Sequence, residues 1–331
     1  MSEAFYYAVD IGGTSIKTGI TSSKGEVIGK NFLPTDAKLE FDALSDAIAA
    51  QLDEMRTSYG VKPRGLGICV PGYPDPLTGR LIDGSGNVPV LREASIASSL
   101  SNRMKVPSVI ENDGVCAALG ELHFGVGRDV DSFAMITLGT GIGGAIVANR
   151  TVIQGPNGEP PEFGAIVVQP GVGAIRKGIH GSFEDFVGGR AVLADYAEKS
   201  GEPASLLNIN LLRERAIAGE SLALDTFDMM AEYTAQAIGT IFNLTGLTHC
   251  VIGGGVSNAG TFLTDPIVEK LPKYTWPLLL ERAHVVVAQN GNDAGLIGAM
   301  SVFTSSSGHM PDNPSTKRAV QKATIFGTVA G

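Results

Sequence analysis

The chain opens with three short runs of apolar and β-branched residues, at Tyr6 to Asp10, Ser15 to Thr21 and Glu26 to Phe32, separated by short stretches that are mainly glycine and hydroxyl residues. Such runs, alternating with turn residues, predict strands, and the short intervals between them predict tight turns. The apolar residues that follow are spaced three or four positions apart, as on one face of a helix: Phe41, Leu44, Ile48, Leu52 and Met55. The sequence therefore predicts an antiparallel meander followed by an amphipathic helix.

The rest of the first half alternates strands and helices. The apolar run Gly65 to Val70 predicts a buried strand, and the segment PGYPDPLTG after it has the composition of a turn. A helix near Arg92 to Met104, a strand at VPSVI and a helix from about Asp113 complete the order βββαβαβα. This order is typical of an α/β domain.

The second half repeats the opening pattern. Residues Ile136 to Ala148 form an apolar run, a turn of glycine and threonine and a second apolar run, as Val9 to Ile20 do earlier. A helical pattern over Leu222 to Leu244, the strand and turn HCVIGGGVSNAG and the apolar helix DAGLIGAMSVF follow. Two copies of one hairpin indicate an internal duplication.

We divide the chain into two α/β domains and a tail. The first domain covers residues 1–115 and is completed by the helix near residues 292–304, and the second covers residues 116–291. The tail, residues 305–331, is rich in serine, proline and basic residues. This composition predicts a surface appendage or a partly disordered segment, to which we assign no chemistry.

Composition and charge exclude several classes of function. The 331 residues are 44% hydrophobic and carry a formal net charge of -9, so we expect no basic surface for nucleic acid. The sequence shows neither a signal peptide nor a stretch that is long and apolar enough to span a membrane. Cys69, Cys116 and Cys250 stand far apart in apolar surroundings, as buried thiols do in a reducing compartment. We expect a cytoplasmic protein with no nucleic-acid or membrane partner.

The turns of the two hairpins are rich in glycine. The residues GTGIGG at 139–144 satisfy the pattern GxGxxG, but a strand follows them where a dinucleotide site needs a helix. Backbone N–H groups of such turns can approach a phosphate closely, with the hydroxyl groups of Thr14 and Thr140 as further donors. The hairpins are either plain tight turns or phosphate-binding turns. A third glycine turn, GGG at residues 253–255, favours the second interpretation.

A resemblance to a known family is carried by five segments in this order and spacing: DIGGTSIKTGI, ENDGVCAALGE, LGTGIGGAIV, VIGGGVSNAG and NDAGLIGA. From about Phe5 to Phe303 the chain resembles the ROK family of bacterial sugar kinases, within the actin-like, hexokinase-like ATPase superfamily. The resemblance implies an α/β fold of two ribonuclease H-like domains with a cleft between them. It also implies that this cleft closes when both substrates are bound.

For the nucleotide, the resemblance implies a role for each glycine turn. Asp10 would lie near Mg²⁺, through water, because a hard cation that keeps its waters suits one carboxylate and phosphate oxygens. Lys17 would add positive charge, unless it is simply a solvated lysine. The residues that would lie against ATP are Asp10, Gly12, Gly13, Thr14 and Lys17 in the first half and Thr140, Gly141, Gly254 and Gly255 in the second.

For the acceptor, the resemblance implies a sugar site around ENDG at residues 111–114. Asn112 and Asp113 are also good N-cap residues, which is the simpler interpretation of this segment. In the family pattern, Asp113 would be the catalytic base for the sugar hydroxyl and Asn112 would bind the ring hydroxyls. The pattern adds hydroxyl-binding groups at Gly72, Asn87, Glu162 and Glu184.

The family's zinc-binding motif is missing from this chain. Most members have a histidine shortly after the loop glutamate and then CxCGxxGCxE, which together hold a structural zinc. Here Ala165 stands at the histidine, and Ile175, Lys177 and Ser182 stand at the cysteines. His180 alone cannot replace them and is expected at the surface. We expect no zinc site, and the lost histidine leaves the identity of the sugar open, because in the family it also reaches the sugar.

Other contacts must hold this loop, which runs over residues 155–184. We expect its prolines, Pro156, Pro160, Pro161 and Pro170, to limit its freedom in the unfolded chain. We also expect Phe163, Phe183 and Phe186 to pack beneath it.

The resulting hypothesis is ATP-dependent phosphorylation of a hexose, glucose or a related sugar, at the 6-hydroxyl, by a homodimer. A sugar-responsive transcription regulator is an alternative, but it would need a DNA-binding segment before the first hairpin, which starts within the first ten residues. A sugar-binding protein without catalysis and a kinase that uses polyphosphate as its donor are two further alternatives.

We predict that the purified protein contains no stoichiometric zinc, because none of the four ligand positions carries a soft ligand. Strong chelators should leave the melting temperature and the magnesium-restored activity unchanged. Elemental analysis and thermal unfolding with and without chelator measure this. About one zinc per chain, lost together with stability on chelation, would mean that the loop is misaligned and would remove Glu162 and Glu184 from the sugar site.

Overall fold

The computed structural model of the protein describes residues 3–307, with the exception of residues 37, 76, 85–87, 93, 174 and 177. The predicted meander is confirmed by three strands, β1 (Phe5–Ile11), β2 (Ser15–Ser22) and β3 (Val27–Pro34). β2 pairs antiparallel with β1 on one side and with β3 on the other. Val9, Ile16 and Ile20 are fully buried in the core of this half, and Ala8 and Thr18 are buried as well, so β1 and β2 are covered on both faces.

The remaining elements of the first half add two parallel strands to the meander. They are α1 (Phe41–Tyr59), β4 (Leu66–Val70), β5 (Tyr73–Pro74), β6 (Leu81–Asp83), α2 (Ile96–Met104), β7 (Ser108–Asn112) and α3 (Asp113–Phe124). β4 lies between β1 and β7 and is parallel to both, which gives the order β3-β2-β1-β4-β7. The apolar face of α1, with Leu44, Ile48 and Leu52, is buried in the same core.

The second half builds a second sheet of similar layout. Its elements are β8 (Phe133–Leu138), β9 (Ile142–Ala148), β10 (Thr151–Ile153), β11 (Ile175–Arg176), β12 (Ile179–His180), α4 (Phe183–Val187), α5 (Gly189–Ser200), α6 (Ile209–Ile217), α7 (Ser221–Thr245), β13 (His249–Gly253), α8 (Thr261–Lys270), α9 (Pro277–Leu280), β14 (His284–Val287) and α10 (Ala294–Ser307). The sheet has the order β10-β9-β8-β13-β14, and β13 is parallel to β8 and β14. Each sheet thus continues from a glycine hairpin into two parallel strands, as a duplication predicts.

The described residues form two compact units. The first contains residues 3–131, 146–161 and 292–307, and the second contains residues 132–145 and 162–291. Residues 116–131 and 146–161, which the sequence analysis placed in the second domain, pack within the first unit. The reason is that α3 runs without interruption across that boundary, and the Arg150 guanidinium donates a hydrogen bond to the backbone oxygen of Leu122 (3.2 Å).

Two local expectations differ from the structure. The segment PGYPDPLTG, expected to be only a turn, contains β5, which pairs antiparallel with β6 just after the segment. The tail was expected to follow Thr304, but α10 continues to Ser307 and Thr304 is buried. The helix accommodates Thr304, Ser306 and Ser307 because their hydroxyls donate to backbone oxygens of the preceding turn, as Ser306 Oγ does to that of Val302 (2.8 Å). Residues 308–331 lie outside the described part of the chain.

Helix α10 packs on β4 and α3 through glycines. A Cβ atom at Gly67 would lie 1.8 Å from the backbone oxygen of Ala299, and one at Gly298 would lie 2.2 Å from that of Cys116. Both distances are far below van der Waals contact, so neither position has room for a side chain. The close approach fixes α10 against the first sheet and against α3.

The cysteines are where the sequence predicts them. Cys69, Cys116 and Cys250 are free thiols and are buried. Burial raises the pKa of Cys250, which keeps this thiol protonated at neutral pH. Among the helices of the described residues, none combines the length and the apolar character that crossing a membrane requires.

We expect Gly67→Ala to lower the free energy of unfolding by about 3 kcal/mol, because its methyl group can be accommodated only if β4 or α10 shifts. Gly201→Ala is the matched control: this glycine ends α5 with a positive φ and open space around it, so its replacement should cost only about 1 kcal/mol of backbone strain. Urea denaturation of both variants measures the difference. Equal losses would contradict the close packing of α10 on β4.

Candidate active site

One row of residues crosses the first sheet where its parallel strands end. Lys17, Asp10, Cys69 and Glu111 are paired in register from β2 through β1 and β4 to β7. Asp113 follows Glu111 by two residues, at the start of α3. The carboxyl ends of parallel strands are where α/β folds bind their ligands, so this edge of the sheet is the candidate site of the first unit.

The turn between β1 and β2 is held by hydrogen bonds at its base. The N–H of Gly12 donates to the oxygen of Ser15 (3.0 Å), and the N–H of Thr35 donates to the oxygen of Thr14 (3.1 Å). The Thr35 hydroxyl also donates to the oxygen of Gly12 (2.7 Å). Gly13 and Thr14 are exposed at the tip. The turn therefore has a fixed backbone and an accessible tip, as a phosphate-binding turn requires.

Asp10 lies between a lysine and the start of a helix. Its Oδ2 accepts a hydrogen bond from Nζ of Lys17 (3.3 Å), which also donates to the backbone oxygen of Asn292 (3.1 Å). A Cβ at Gly295, in the first turn of α10, would lie 2.2 Å from that Oδ2. Gly295 thus lets the helix N-terminus approach the carboxylate, which the helix dipole stabilises. The sequence analysis missed this role, although the segment NDAGLIGA contains the glycine.

The second glycine turn joins β8 and β9 and is fixed by the start of α5. The N–H of Gly139 donates to the oxygen of Gly141 (2.9 Å), which closes the turn. The N–H groups of Gly189 and Arg190 donate to the oxygens of Gly139 (2.9 Å) and Thr140 (3.1 Å). Thr140 is exposed at the tip. Like the first turn, this one combines a fixed backbone with an accessible threonine.

Glu184 lies directly against the second turn. Its Oε2 accepts a hydrogen bond from the N–H of Ile142 (2.7 Å), the first residue of β9. A Cβ at Gly141 would lie 2.5 Å from this oxygen, so a side chain at Gly141 would displace the carboxylate. Two predicted residues with different roles, Gly141 for the nucleotide and Glu184 for the sugar, therefore touch each other.

The third glycine turn follows β13 and lies against the end of β8. Gly254 has a φ of +85°, and a Cβ there would lie 2.3 Å from the backbone oxygen of Leu138. The hydroxyl of Ser257 donates to the oxygen of Gly254 (2.7 Å) and holds the turn. Gly255 is exposed, with open space at its Cβ position among the described residues. The second unit thus places Gly254 beside the strand that leads into the Thr140 turn.

The segment ENDG joins β7 to α3 and combines the two roles that the sequence left open. The side-chain oxygen of Asn112 caps α3 by accepting from the N–H groups of Gly114 (2.8 Å) and Val115 (3.2 Å). Its amide nitrogen donates to the backbone oxygen of Gly72 (2.9 Å), whose φ is +81°. Asp113, the first residue of α3, is exposed. Asn112 therefore both caps the helix that begins with Asp113 and ties it to the backbone of Gly72.

Glu111 has a different environment from the other carboxylates of the row. It is buried, and burial raises its pKa to about 7. Its Oε1 accepts from the backbone N–H of Asn112 (2.8 Å), and the side-chain amide of Gln154 lies 3.3 Å from both of its oxygens. The sequence analysis assigned no role to either residue. A carboxylate at the end of the apolar run VPSVI was the available signal.

The loop that lacks the zinc motif is fixed by its own backbone. The N–H of Phe183 donates to the oxygen of Ile166 (2.7 Å), and the N–H of Val168 donates to the oxygen of Gly181 (2.9 Å). Ser182, at a cysteine position of the family, donates from its hydroxyl to Asp185 (2.6 Å) in a capping box at the start of α4. Hydrogen bonds therefore hold this part of the loop in place.

Side chains of α7 complete the support of the loop. The Tyr233 hydroxyl is hydrogen-bonded to Gln169, and the Gln236 amide donates to the backbone oxygen of Val168 (2.9 Å). Phe186 packs on the ring of Tyr233 with a centroid distance of 4.6 Å. Of the phenylalanines expected beneath the loop, Phe163 and Phe183 are buried. The roles of Gln169 and Gln236 were not predicted, since their partners lie 64 and 68 positions away and such contacts leave no local pattern.

The donor set around this loop does not fit a structural metal. Ala165 ends a short 3₁₀ turn, and His180 is exposed on β12. Within the described part of the chain, histidine, cysteine and acidic residues form no group of three or more that could hold a metal ion. Lys177 lies outside the described residues, as does Asn87, one of the predicted sugar-binding residues. Glu162 is exposed at the start of the 3₁₀ turn.

Comparison with known proteins gives a consistent family. The model of the ROK family matches residues 6–306. The glucokinase of Halalkalibacterium halodurans is 33% identical over 313 residues, which cover 90% of this chain and 94% of the relative. The β-glucoside kinase of Listeria innocua is 31% identical over 307 residues, which cover 89% and 96%.

A solved structure extends the comparison to the fold. The ROK family glucokinase from Streptomyces griseus, in complex with glucose and AMPPNP, superposes with a TM-score of 0.79 at 28% identity and covers 90% of this chain and 99% of that one. The two sheets and the glycine turns described above thus belong to the actin-like ATPase fold. On the family match over nearly the whole chain and on this fold, the chain belongs to the ROK family.

Proposed function

We propose that this protein transfers the γ-phosphoryl group of ATP to the 6-hydroxyl of a hexose, glucose or a related sugar, with Asp113 as the catalytic base. The coarser activity is that of an ATP-dependent sugar kinase, which agrees with the family and with the named relatives. What we propose beyond this activity is the identity of the catalytic base, of the hydroxyl group that is phosphorylated and of the sugar.

The geometry of ENDG is the observation that carries the proposal. Asn112 is buried, caps α3 through its side-chain oxygen and donates from its amide nitrogen to the oxygen of Gly72, so the turn at the start of α3 is held in place. Asp113 is exposed at the end of this turn. In the reaction, its carboxylate takes the proton of the sugar hydroxyl while the hydroxyl oxygen bonds to the γ-phosphorus and ADP leaves.

On the nucleotide side, we propose that the glycine turns bind the phosphates and the nucleoside of ATP. Their backbones are fixed at the base and open at the tip, which suits close approach of a phosphate without reorganisation. Lys17 adds a positive charge beside Asp10. The residues proposed to contact the nucleotide are Gly12, Gly13, Thr14, Lys17, Thr140, Gly141, Gly254 and Gly255.

Asp10 fits a magnesium ion that keeps most of its water. Its side chain is partly exposed, at 18%, and it presents one carboxylate beside the turn that we assign to the phosphates. Mg²⁺ favours one or two carboxylates together with water and phosphate oxygens. When bound with ATP, the ion would neutralise phosphate charge. Asp10 would hold it through water, and Lys17 would orient Asp10.

For the sugar, we propose the backbone of Gly72, the amide of Asn112 and the carboxylates of Asp113, Glu162 and Glu184, together with Asn87. A sugar in a water-excluding site needs a fixed polar partner for each hydroxyl, and several of these groups are already held by hydrogen bonds. We further propose that no zinc takes part and that the enzyme works in the cytoplasm as a homodimer. Three buried free thiols support a reducing compartment.

One coupled assay panel tests the reaction and its specificity. ATP and polyphosphate are each supplied with glucose, mannose, amino sugars, N-acetyl sugars and β-glucosides, and the phosphorylated carbon of the product is identified by NMR. Formation of a 6-phosphate from a hexose and ATP supports the proposal. Turnover only with polyphosphate would contradict ATP as the donor. Phosphate on another carbon would contradict the 6-hydroxyl as the acceptor. Sugar binding without turnover would leave a binding protein.

Asp113→Asn should lower kcat by about 100-fold or more, because it keeps the size of the side chain and an acceptor for the N–H of Gly114 but removes the base. Asp42→Asn is the control. It removes the same charge from an exposed position in the first turn of α1 and should leave kcat unchanged. Steady-state kinetics and circular dichroism measure both. Wild-type turnover in the Asp113 variant would exclude it as the base.

Gly141→Ala should lower kcat/KM for ATP by about 10-fold or more, because the new methyl group would collide with Glu184 and break its bond to Ile142. Gly139→Ala lies in the same turn, but its Cβ would be 3.8 Å from the nearest atom, so a smaller loss is expected. Kinetics of the two variants at saturating sugar measure the contrast. The same loss in both would mean that the contact with Glu184 does not matter.

A further inference from the structure

Glu111 is a buried carboxylate that the proposed reaction does not use. It ends β7, and the backbone N–H of Asn112 donates to its Oε1 (2.8 Å). That bond orients the peptide that leads directly into the cap and into Asp113. A buried carboxylate costs free energy unless its oxygens are satisfied, so its partners hold it in one place.

The second partner of Glu111 comes from a segment distant in sequence. Gln154 follows β10, and its amide nitrogen lies 3.3 Å from each oxygen of Glu111 and 3.1 Å from the backbone oxygen of Gly158. The two amide hydrogens are therefore both used, one for the carboxylate and one for the turn. That turn is closed by a backbone hydrogen bond from the N–H of Gly155 to the oxygen of Glu159 (2.8 Å).

We propose that Glu111 is a positioning residue, which holds Asn112 and Asp113 in their sugar-binding orientation by accepting hydrogen bonds from the Asn112 backbone and from Gln154. We propose further that this support weakens when Glu111 takes up a proton. The inference rests on the proposed function, because it concerns how the base and the sugar-binding amide are kept in place.

Protonation changes what Glu111 can accept. The carboxylate accepts from both of its donors at once. A proton on Oε2, the oxygen that does not accept from Asn112, would set its O–H against the amide hydrogen of Gln154. Gln154 would then be left with Oε1 alone, which already accepts from the Asn112 N–H, so its bond to Glu111 would weaken. Because burial raises the pKa of Glu111 to about 7, this exchange takes place near neutral pH.

Among the buried ionisable groups that the structure describes at this edge of the sheet, Glu111 is the one whose pKa lies near 7. Cys69 is its register partner on β4, and Cys116 faces it from α3; burial raises the pKa of both thiols, with a hydrogen bond between them as the larger cause for Cys69. Asp113 is exposed at the start of α3, and Asp10 lies beyond Cys69 on β1. Glu159, in the turn held by Gln154, is on the surface.

The test compares sugar KM, ATP KM and kcat from pH 5.5 to 8.5 in the wild type, Glu111→Gln and Gln154→Met. In the wild type, sugar KM should rise about 10-fold as the pH falls through 7, which corresponds to losing one charge-assisted hydrogen bond. Glu111→Gln should have a raised sugar KM that no longer changes near pH 7. Gln154→Met should have a sugar KM raised at every pH. ATP KM should stay within about 2-fold in both variants.

Asn157→Ala is the matched control for Gln154→Met. Asn157 lies in the same turn, but its side-chain amide donates to Glu159, and among the described residues no bond joins it to Glu111, so sugar KM should match the wild type. An unchanged inflection near pH 7 in Glu111→Gln would overturn the proposal. Equal effects of Asn157→Ala and Gln154→Met would overturn it too, since they would indicate a loop effect only. If Glu111→Gln fails to fold, a wild-type sugar KM in Gln154→Met is the overturning result.

A measurement without substrate separates this inference from the proposed function. The pKa of Glu111 in the folded protein is raised from its ordinary value of 4.5 to about 7. The protonated form of Glu111 therefore stabilises the folded protein, fully below about pH 4.5, and this stabilisation is lost as the pH rises through 7. The melting temperature of Glu111→Gln should therefore rise relative to the wild type over that range. A wild type that phosphorylates no sugar would refute the proposed function alone, whereas parallel melting curves would refute the ionisation of Glu111.

Discussion

The register of the parallel strands β1, β4 and β7 is the constraint on which the first half of the site depends. A slip of β4 by one residue would bring Leu66 or Ile68 against α10, where only Gly67 fits. With this register, Asp10 and Glu111 lie level at the ends of their strands, and α3 starts directly after β7. The candidate groups are thus attached to a packed sheet edge, which holds them more rigidly than a surface loop would.

The same edge gives two carboxylates different properties. Asp10 is partly exposed beside Lys17 and the start of α10, which leaves the carboxylate accessible to a solvated cation. Glu111 is buried next to the protonated thiols of Cys69 and Cys116, which offer no positive charge. Environment alone therefore separates a group that suits phosphate chemistry from one that suits the support of a neighbouring turn.

The loop of the second unit lacks the residues of the family's zinc motif and is held by other contacts. In the described residues, backbone pairing, the Ser182 capping box and the contacts of Tyr233 and Gln236 hold this loop. Each is a modest interaction, and together they keep α4 and its Glu184 against the second glycine turn. The carboxylate, the turn and the loop are therefore energetically linked, so a change in one should be measurable in the others.

The sequence by itself determined the order of strands and helices, the duplicated glycine hairpins and the resemblance of five segments to one family. These features are local, because hydrophobic periodicity and turn chemistry act over a few residues. Only the tertiary structure decided that Gly295 makes room for Asp10, that Glu184 contacts Gly141 and that Gln154 reaches Glu111. Those pairs are brought together by sheet register and helix packing across long stretches of chain, and such contacts leave no periodic signal in a single sequence.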